Sequence, residues 1–260
     1  MAKVGFGQDS TPQLDIHVAY VTGKRGLGQH YARLSSTELR CKTFDGHLAP
    51  YGGPETLAQW VARADERKGD EKKFVDDLVT HNPEVIDLEM GLSDYKSEDG
   101  KSTAPRMDLV ALEEAAGTLK IVFWEAKMMS NGELRCQPGT EEGPHVVRQL
   151  NKYTTWLGQG SNRADVIRAY QANCRLLLEL HALARGINPE IMALNPMIVR
   201  AAEDPPLTVD DRPRVIVRDR DANRSWTANG HDVVLIKKHG IRVQLISGNP
   251  PASYVLQGRT

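Results

Sequence analysis

Two hydrophobic runs joined by a short polar stretch give the chain its strongest pattern. From Arg106 onward, Met107, Leu109 and Ala111 alternate with Asp108, Val110 and Leu112, and Leu119-Lys-Ile-Val-Phe-Trp124 is a dense β-branched and aromatic run. Alternation predicts a strand, and the denser run predicts one that is mostly buried. Between them Glu113-Glu-Ala-Ala-Gly-Thr118 supplies charge, small residues and a glycine, so the two runs read as a hairpin. Upstream, Phe74, Val75, Leu78 and Val79 recur at helical spacing behind Asp70 as N-cap. Val85 to Tyr95 reads as a strand, and Lys96 to Pro105 as a charged loop. Downstream, Val146, Val147, Leu150, Tyr153, Thr154 and Leu157 mark a helix from near His145, and a second follows from about Arg163 to Arg185. A strand at 214–218, a short helix at 230–240 closed by Gly240, and a strand at 241–246 complete the series.

The N-terminal quarter has its own pattern. Leu14, Ile16, Val18 and Tyr20 alternate with polar or small residues, which predicts a half-exposed strand. Gly23-Lys-Arg-Gly-Leu-Gly28 lacks the spacing and the Lys-Ser/Thr of a phosphate-binding loop and reads better as a basic turn. Pro54 opens a helix with Leu57, Trp60, Val61 and Ala64 on one face. The expected organisation is an N-terminal extension of unknown role over 1–65, a main domain over 66–248 and a flexible Pro-rich tail over 249–260.

Composition narrows the setting. A chain of 260 residues can bury a substantial core. There is no apolar signal segment at the start and no run near the roughly 18 apolar residues a membrane helix needs. Cys41, Cys136 and Cys174 are far apart without a C-x-x-C, so reduced thiols in a cytoplasmic protein are expected, with no zinc site. Net charge is −1, divided unevenly: residues 1–140 carry 17 Lys and Arg against 22 Asp and Glu, residues 141–260 carry 16 against 12. Such a balance does not coat nucleic acid by charge alone, so any grip on it is local or shared with a partner.

The chemistry concentrates at the hairpin's open end. Glu125 and Lys127 are two residues apart and project from one face of their strand. Pairing of the strands sets Asp108 beside Glu125, giving two carboxylates and one ammonium at the edge of a hydrophobic core. Burying these charges costs several kcal/mol per ion unless they are paired or bind metal. One lysine leaves one carboxylate without a partner, and a divalent cation removes the difficulty; carboxylate oxygens, carbonyls and waters suit Mg²⁺ or Mn²⁺. The plainer alternative is a solvated Glu-x-Lys pair worth under about 1 kcal/mol.

Asp108 with Glu125-Ala-Lys127 resembles the signature of the PD-(D/E)XK, or restriction-endonuclease-like, nucleases, with Arg106 and Met107 intervening after Pro105. The segment from Glu71 to Ile86 resembles the opening helix of NucS-like domains, and Gln149-Leu-Asn-Lys-Tyr153 resembles the Q-x-x-x-Y motif of RecB-like nucleases. Gln149 and Tyr153, at i and i+4, share a helix face. The resemblance implies an αβββαβ core with a mixed sheet flanked by helices. It also implies Mg²⁺, or Mn²⁺ in its place, held by Asp108, Glu125 and the carbonyl of Ala126. Glu71 would act in support through water, Lys127 would position the attacking water, and Gln149 and Tyr153 would steady the site. Glu66 and Glu84 are lesser candidates for the helix acid. The implied function is phosphodiester hydrolysis in nucleic acid, DNA before RNA, in restriction, repair or antiphage defence. The alternative is a nucleic-acid-binding or scaffold subunit with little activity alone, in company with a protein partner or further copies of itself. Three points stay open: whether 128–144 touches substrate or merely connects, whether His145 reaches phosphate or serves its helix start, and whether Arg163, Arg168 and Arg175 are solvated or line a backbone groove.

Overall fold

The computed structural model describes residues 2–6, 12–28, 30–35, 38–92, 105–136, 143–203, 206–220, 225–248, 250–251 and 253–258. The chain divides into two compact units, 1–69 and 70–260.

In the first unit, β1 (Ala2–Phe6), β2 (Pro12–His17), β3 (Tyr31–Ser35) and β4 (Glu38–Arg40) form an antiparallel sheet in chain order. The strand expected through Tyr20 stops at His17, and α1 (Val18–Thr22) begins there. His17 Nδ1 accepts the amide of Ala19 at 3.1 Å, and Gly23, at φ 75°, closes the helix in the left-handed conformation. Two caps flanking five residues override an alternating pattern. Helix α2 (Pro54–Asp65) buries Trp60 with Ile16 and Val21. Arg63 donates to the carbonyls of Tyr20 and Val21, and Arg67 to those of Ala19, Gly23 and Lys24. Those bonds are why the unit runs to 69 rather than to the expected 65.

The second unit runs α3 (Asp70–His81), β5 (Val85–Gly91), β6 (Arg106–Ala115), β7 (Thr118–Met128), a 3₁₀ turn (Gly132–Leu134), α4 (His145–Gly158), α5 (Gly160–Ile187), α6 (Pro196–Ala202), β8 (Leu207–Val209), β9 (Arg214–Asp219), α7 (Ser225–Ala228), α8 (His231–Val233), a π-helical turn (Val234–Lys238) and β10 (Val243–Ser247). Its six strands make one mixed sheet in the order β10-β9-β7-β6-β5, with β8 alongside the first residues of β7. Strands β5, β6 and β7 are an antiparallel meander; β8 and β9 lie parallel to successive lengths of β7, and β10 lies parallel to β9. The architecture is α/β, a central mixed sheet flanked by helices.

Each face of the sheet has its own core. Ile121, Phe123, Val110, Leu112, Val215 and Val217 pack under α4, α5, α6 and Trp226. Leu109, Ala111, Val122, Trp124, Ala126 and Ile216 pack under Phe74 and Leu78 of α3. The β6–β7 turn is tighter than expected: Glu113 and Glu114 belong to the strand, and Ala116 and Gly117 turn the chain at φ 50° and 77°. Strand β5 ends at Gly91, and the loop expected from Lys96 lies outside the described residues except for Pro105.

The described part of the expected tail is docked. Buried Asn82 donates to the carbonyl of Tyr254 and accepts the amide of Leu256, at 2.9 and 2.7 Å. Gln244 bonds Val255 and Gln257 in the same manner, and Tyr254 and Leu256 pack against the α3 face of the sheet. Two buried amide side chains thus give the segment's backbone partners that a loose tail would lack. Among the described residues no helix is long and apolar enough to cross a membrane.

Candidate functional site

The β6–β7 register runs from the turn to Leu109 opposite Trp124, which sets Asp108 against Glu125. Alternate residues of the two strands, Val110 and Leu112 with Ile121 and Phe123, lie in the core beneath α4. Asp108, Glu125 and Lys127 continue that face to its rim. Only 1% of Glu125 and 6% of Lys127 are exposed, and Gln149 of α4 and Glu133 of the 3₁₀ turn reach the strand ends.

Lys127 Nζ lies 2.7 Å from Glu125 Oε1, 3.2 Å from Glu133 Oε2 and 3.8 Å from Glu71 Oε1. Asp108 Oδ2 accepts the amide of Ala126 at 2.8 Å. Burial raises the Asp108 carboxyl to about 6 against the opposing pull of that amide and of Lys127. Burial, and then the charge of Asp108, push Glu125 up to about 8, with Lys127 working the other way. The two carboxyls titrate as a pair, each resisting the other's ionisation. Burial alone would lower the Lys127 amine, but Glu125, then Glu71 and Asp108, more than offset it, so the ammonium keeps its proton.

This cluster is incompletely satisfied. Glu125 Oε2 is buried and has no hydrogen-bond partner, an arrangement that carries the desolvation penalty of a charged oxygen whenever Glu125 ionises. Two converging carboxylates with an unpartnered oxygen are the donor chemistry of a hard divalent cation. Among the described residues, no group of three or more His, Cys, Asp or Glu side chains is placed to hold a metal. Glu71, expected as the third acid, therefore stands apart from the pair. It is more than a third exposed, with one oxygen toward Lys127 and the other accepting Asn131 Nδ2 at 3.1 Å.

The Q-x-x-x-Y pair works on the backbone. Gln149 Nε2 donates to the carbonyl of Arg106 at 3.0 Å, and is near enough to Glu125 to favour its charged form slightly without satisfying Oε2. Tyr153, fully buried, shares its one hydroxyl proton between the carbonyls of Pro105, at 3.0 Å, and Met90. Burial raises its hydroxyl pKa well above the ordinary value. Together they fix the start of β6 and the end of β5, and so the position of Asp108.

His145 turns to protein, its Nδ1 lying 3.1 Å from Glu133 Oε1. Arg163 faces Asp211, Arg168 faces Asp165, and Arg175 donates to the carbonyl of Ala202. Sequence reasoning missed Glu133, Asn131 and Glu89. Glu89 adopts a left-handed φ of 53°, pairs with Arg106 at 3.1 Å and adds to the upward pressure on Asp108. The signal for Glu133 was present: Asn131-Gly-Glu133 has an N-cap residue with an acid in the first turn, and Asn131 Oδ1 accepts the Glu133 amide at 2.9 Å. No family model, curated protein or solved structure matches the chain.

Proposed function

We propose that the chain is a metal-dependent phosphodiesterase of the PD-(D/E)XK type, acting on nucleic acid and on DNA before RNA. The observation that carries this reading is the buried Asp108–Glu125 pair across β6 and β7, with an unpartnered oxygen on Glu125 and a buried ammonium beside it. The succession α3-β5-β6-β7-α4-β9, with β9 parallel to β7, supports the αβββαβ core as the finer description of the fold.

Asp108 and Glu125, with the carbonyl of Ala126, would hold Mg²⁺ or Mn²⁺, and Glu71 would support them from the first turn of α3. The ion would supply Lewis acidity toward the phosphate and make water a better nucleophile at neutral pH. Lys127 contributes a fixed positive charge where negative charge builds on the phosphate, and its burial strengthens that contribution by excluding solvent. Gln149 and Tyr153 keep Asp108 opposite Glu125 through the backbone at 105–106.

The test is cleavage of plasmid, linear duplex, single-stranded DNA and RNA with Mg²⁺, with Mn²⁺ and with EDTA. Cleavage is expected only with metal, and Asp108→Ala or Lys127→Ala should slow it at least about 100-fold with the circular dichroism spectrum unchanged. Metal-independent cleavage, or wild-type rates in both variants, would remove the assignment.

A further inference from the structure

Resting on that reading, we infer that Glu133 is a positioning residue of the same site, a second carboxylate that holds the Lys127 ammonium beside Glu125. The lysine amine has three donors, and the strand supplies it with one close acceptor, Glu125 Oε1 at 2.7 Å. The next nearest carboxylate is Glu133 at 3.2 Å, closer than the helix acid Glu71 at 3.8 Å. Lysine's amine is a point charge on a flexible four-carbon stem and does not fix its own direction. A second acceptor set against the first gives it one.

Glu133 is itself held at both ends. Its far oxygen, Oε1, faces His145 Nδ1 at 3.1 Å, at the first residue of α4. Its amide donates to Asn131 Oδ1 at 2.9 Å, while Asn131 Nδ2 donates to Glu71 at 3.1 Å. A single asparagine side chain therefore ties together the two acids that flank Lys127. Beneath them Leu134, fully buried, anchors the 3₁₀ turn, and its carbonyl accepts the indole N–H of buried Trp226 at 3.1 Å. These bonds make the turn a rigid mount, which positioning requires. Glu133 itself is 39% exposed, so its removal leaves the core packing in place.

Two measurements test this. In cleavage assays Glu133→Ala should lower kcat by about 10- to 100-fold, with KM for DNA and the Mg²⁺ concentration at half-maximal rate within about twofold of wild type. Glu133→Gln, which keeps an acceptor oxygen, should restore most of kcat. A wild-type kcat in Glu133→Ala overturns the inference. So does a Gln variant as slow as the Ala variant, because that result requires the carboxylate's charge or basicity rather than its hold on the amine. The second measurement needs no activity: the amine ¹⁵N–¹H signal of Lys127 in ¹⁵N-lysine-labelled protein, assigned by its absence in Lys127→Arg. A clamped ammonium exchanges slowly enough to be seen in wild type and in Glu133→Gln, and should vanish in Glu133→Ala. If wild type cleaves nothing yet the signal behaves so, the clamp stands and the nuclease reading falls. If wild type cleaves and the signal is indifferent to Glu133→Ala, the clamp falls alone.

Discussion

Two buried charge clusters share the strands of the larger sheet and differ in how well they are satisfied. On the α3 face, Arg214 of β9 donates to Glu113 at 2.6 Å and Asp210 at 2.9 Å, and its guanidinium lies over the ring of Trp124 at 5.1 Å. On the α4 face, Asp108 and Glu125 meet with Lys127 between surrounding acids. Each cluster has more carboxylates than cations. The planar guanidinium of Arg214 spreads its donors over two acids and stacks on an aromatic face as well, leaving only Nε without a partner. The ammonium of Lys127 lacks that reach, and the shortfall appears on the other side of the ledger: an acceptor, Glu125 Oε2, is buried and unpaired. A surplus donor beside acids is mild. A surplus carboxylate oxygen beside a second carboxylate is strained, and it is the strained cluster that is ready for a cation.

One substitution in each cluster should separate the two most sharply. Arg214→Ala leaves Glu113 and Asp210 facing each other without their cation and should lower stability by about 3–5 kcal/mol, read as the midpoint of chemical unfolding. Asp108→Asn should move the other way in the absence of metal, raising the midpoint, because it removes the charge that opposes ionisation of Glu125. A metal-free Asp108→Asn protein less stable than wild type would mean that the pair is not strained.

Titration sharpens the same contrast. A carboxyl whose pKa is higher folded than unfolded binds its proton more tightly in the folded chain, so stability is greatest at low pH and falls as pH rises through that interval. For Asp108 and Glu125 the interval runs from the ordinary carboxylate range up to about 6 and about 8. Metal-free protein should therefore lose stability between pH 5 and 8, at up to about 1.4 kcal/mol per pH unit for each proton held more tightly in the folded form. Lys127 keeps its proton throughout and adds no slope there. Mg²⁺ competes with those protons, so the thermal shift it produces should be larger at pH 8 than at pH 6, and absent in Asp108→Asn. An equal shift at both values would place the metal elsewhere.

Much of the strained cluster was legible in the sequence, because a strand's two-residue period and a hairpin's pairing fix which side chains meet. Asp108, Glu125 and Lys127 needed only those two rules. What escaped depended on contacts that no period announces. Helix α1 follows from an imidazole cap and one left-handed glycine. Strand β8 is three residues long, too short for any alternation to register. The segment at 253–258 is held by amides of Asn82 and Gln244, far away in sequence or on another element. Glu133 lies in a stretch with no apolar rhythm, and its position comes from a cap and from Leu134 beneath it. The Arg214 cluster was hidden for the same reason: Arg214-Val-Ile-Val-Arg218 reads as a strand, and nothing in that pattern announces that both arginines are buried.

The smallest effect tests whether the strained cluster is shaped from a distance. Tyr153 touches neither Glu125 nor Lys127 by any hydrogen bond; its hydroxyl is given to the carbonyls of Met90, next to last in β5, and Pro105, just before β6. Tyr153→Phe keeps the ring that packs against Phe123, at 6.3 Å between centroids, and removes only that donor. The loss of one hydrogen bond between buried partners should lower stability by about 1 kcal/mol. Activity should fall by less than about tenfold, because Gln149 still holds the carbonyl of Arg106 and with it the approach to Asp108. If kcat instead fell by two orders of magnitude while the unfolding midpoint stayed put, the hydroxyl would belong to the reaction itself. The comparison between a cluster that is strained and one that is satisfied would then have to count a phenol among the groups that set it.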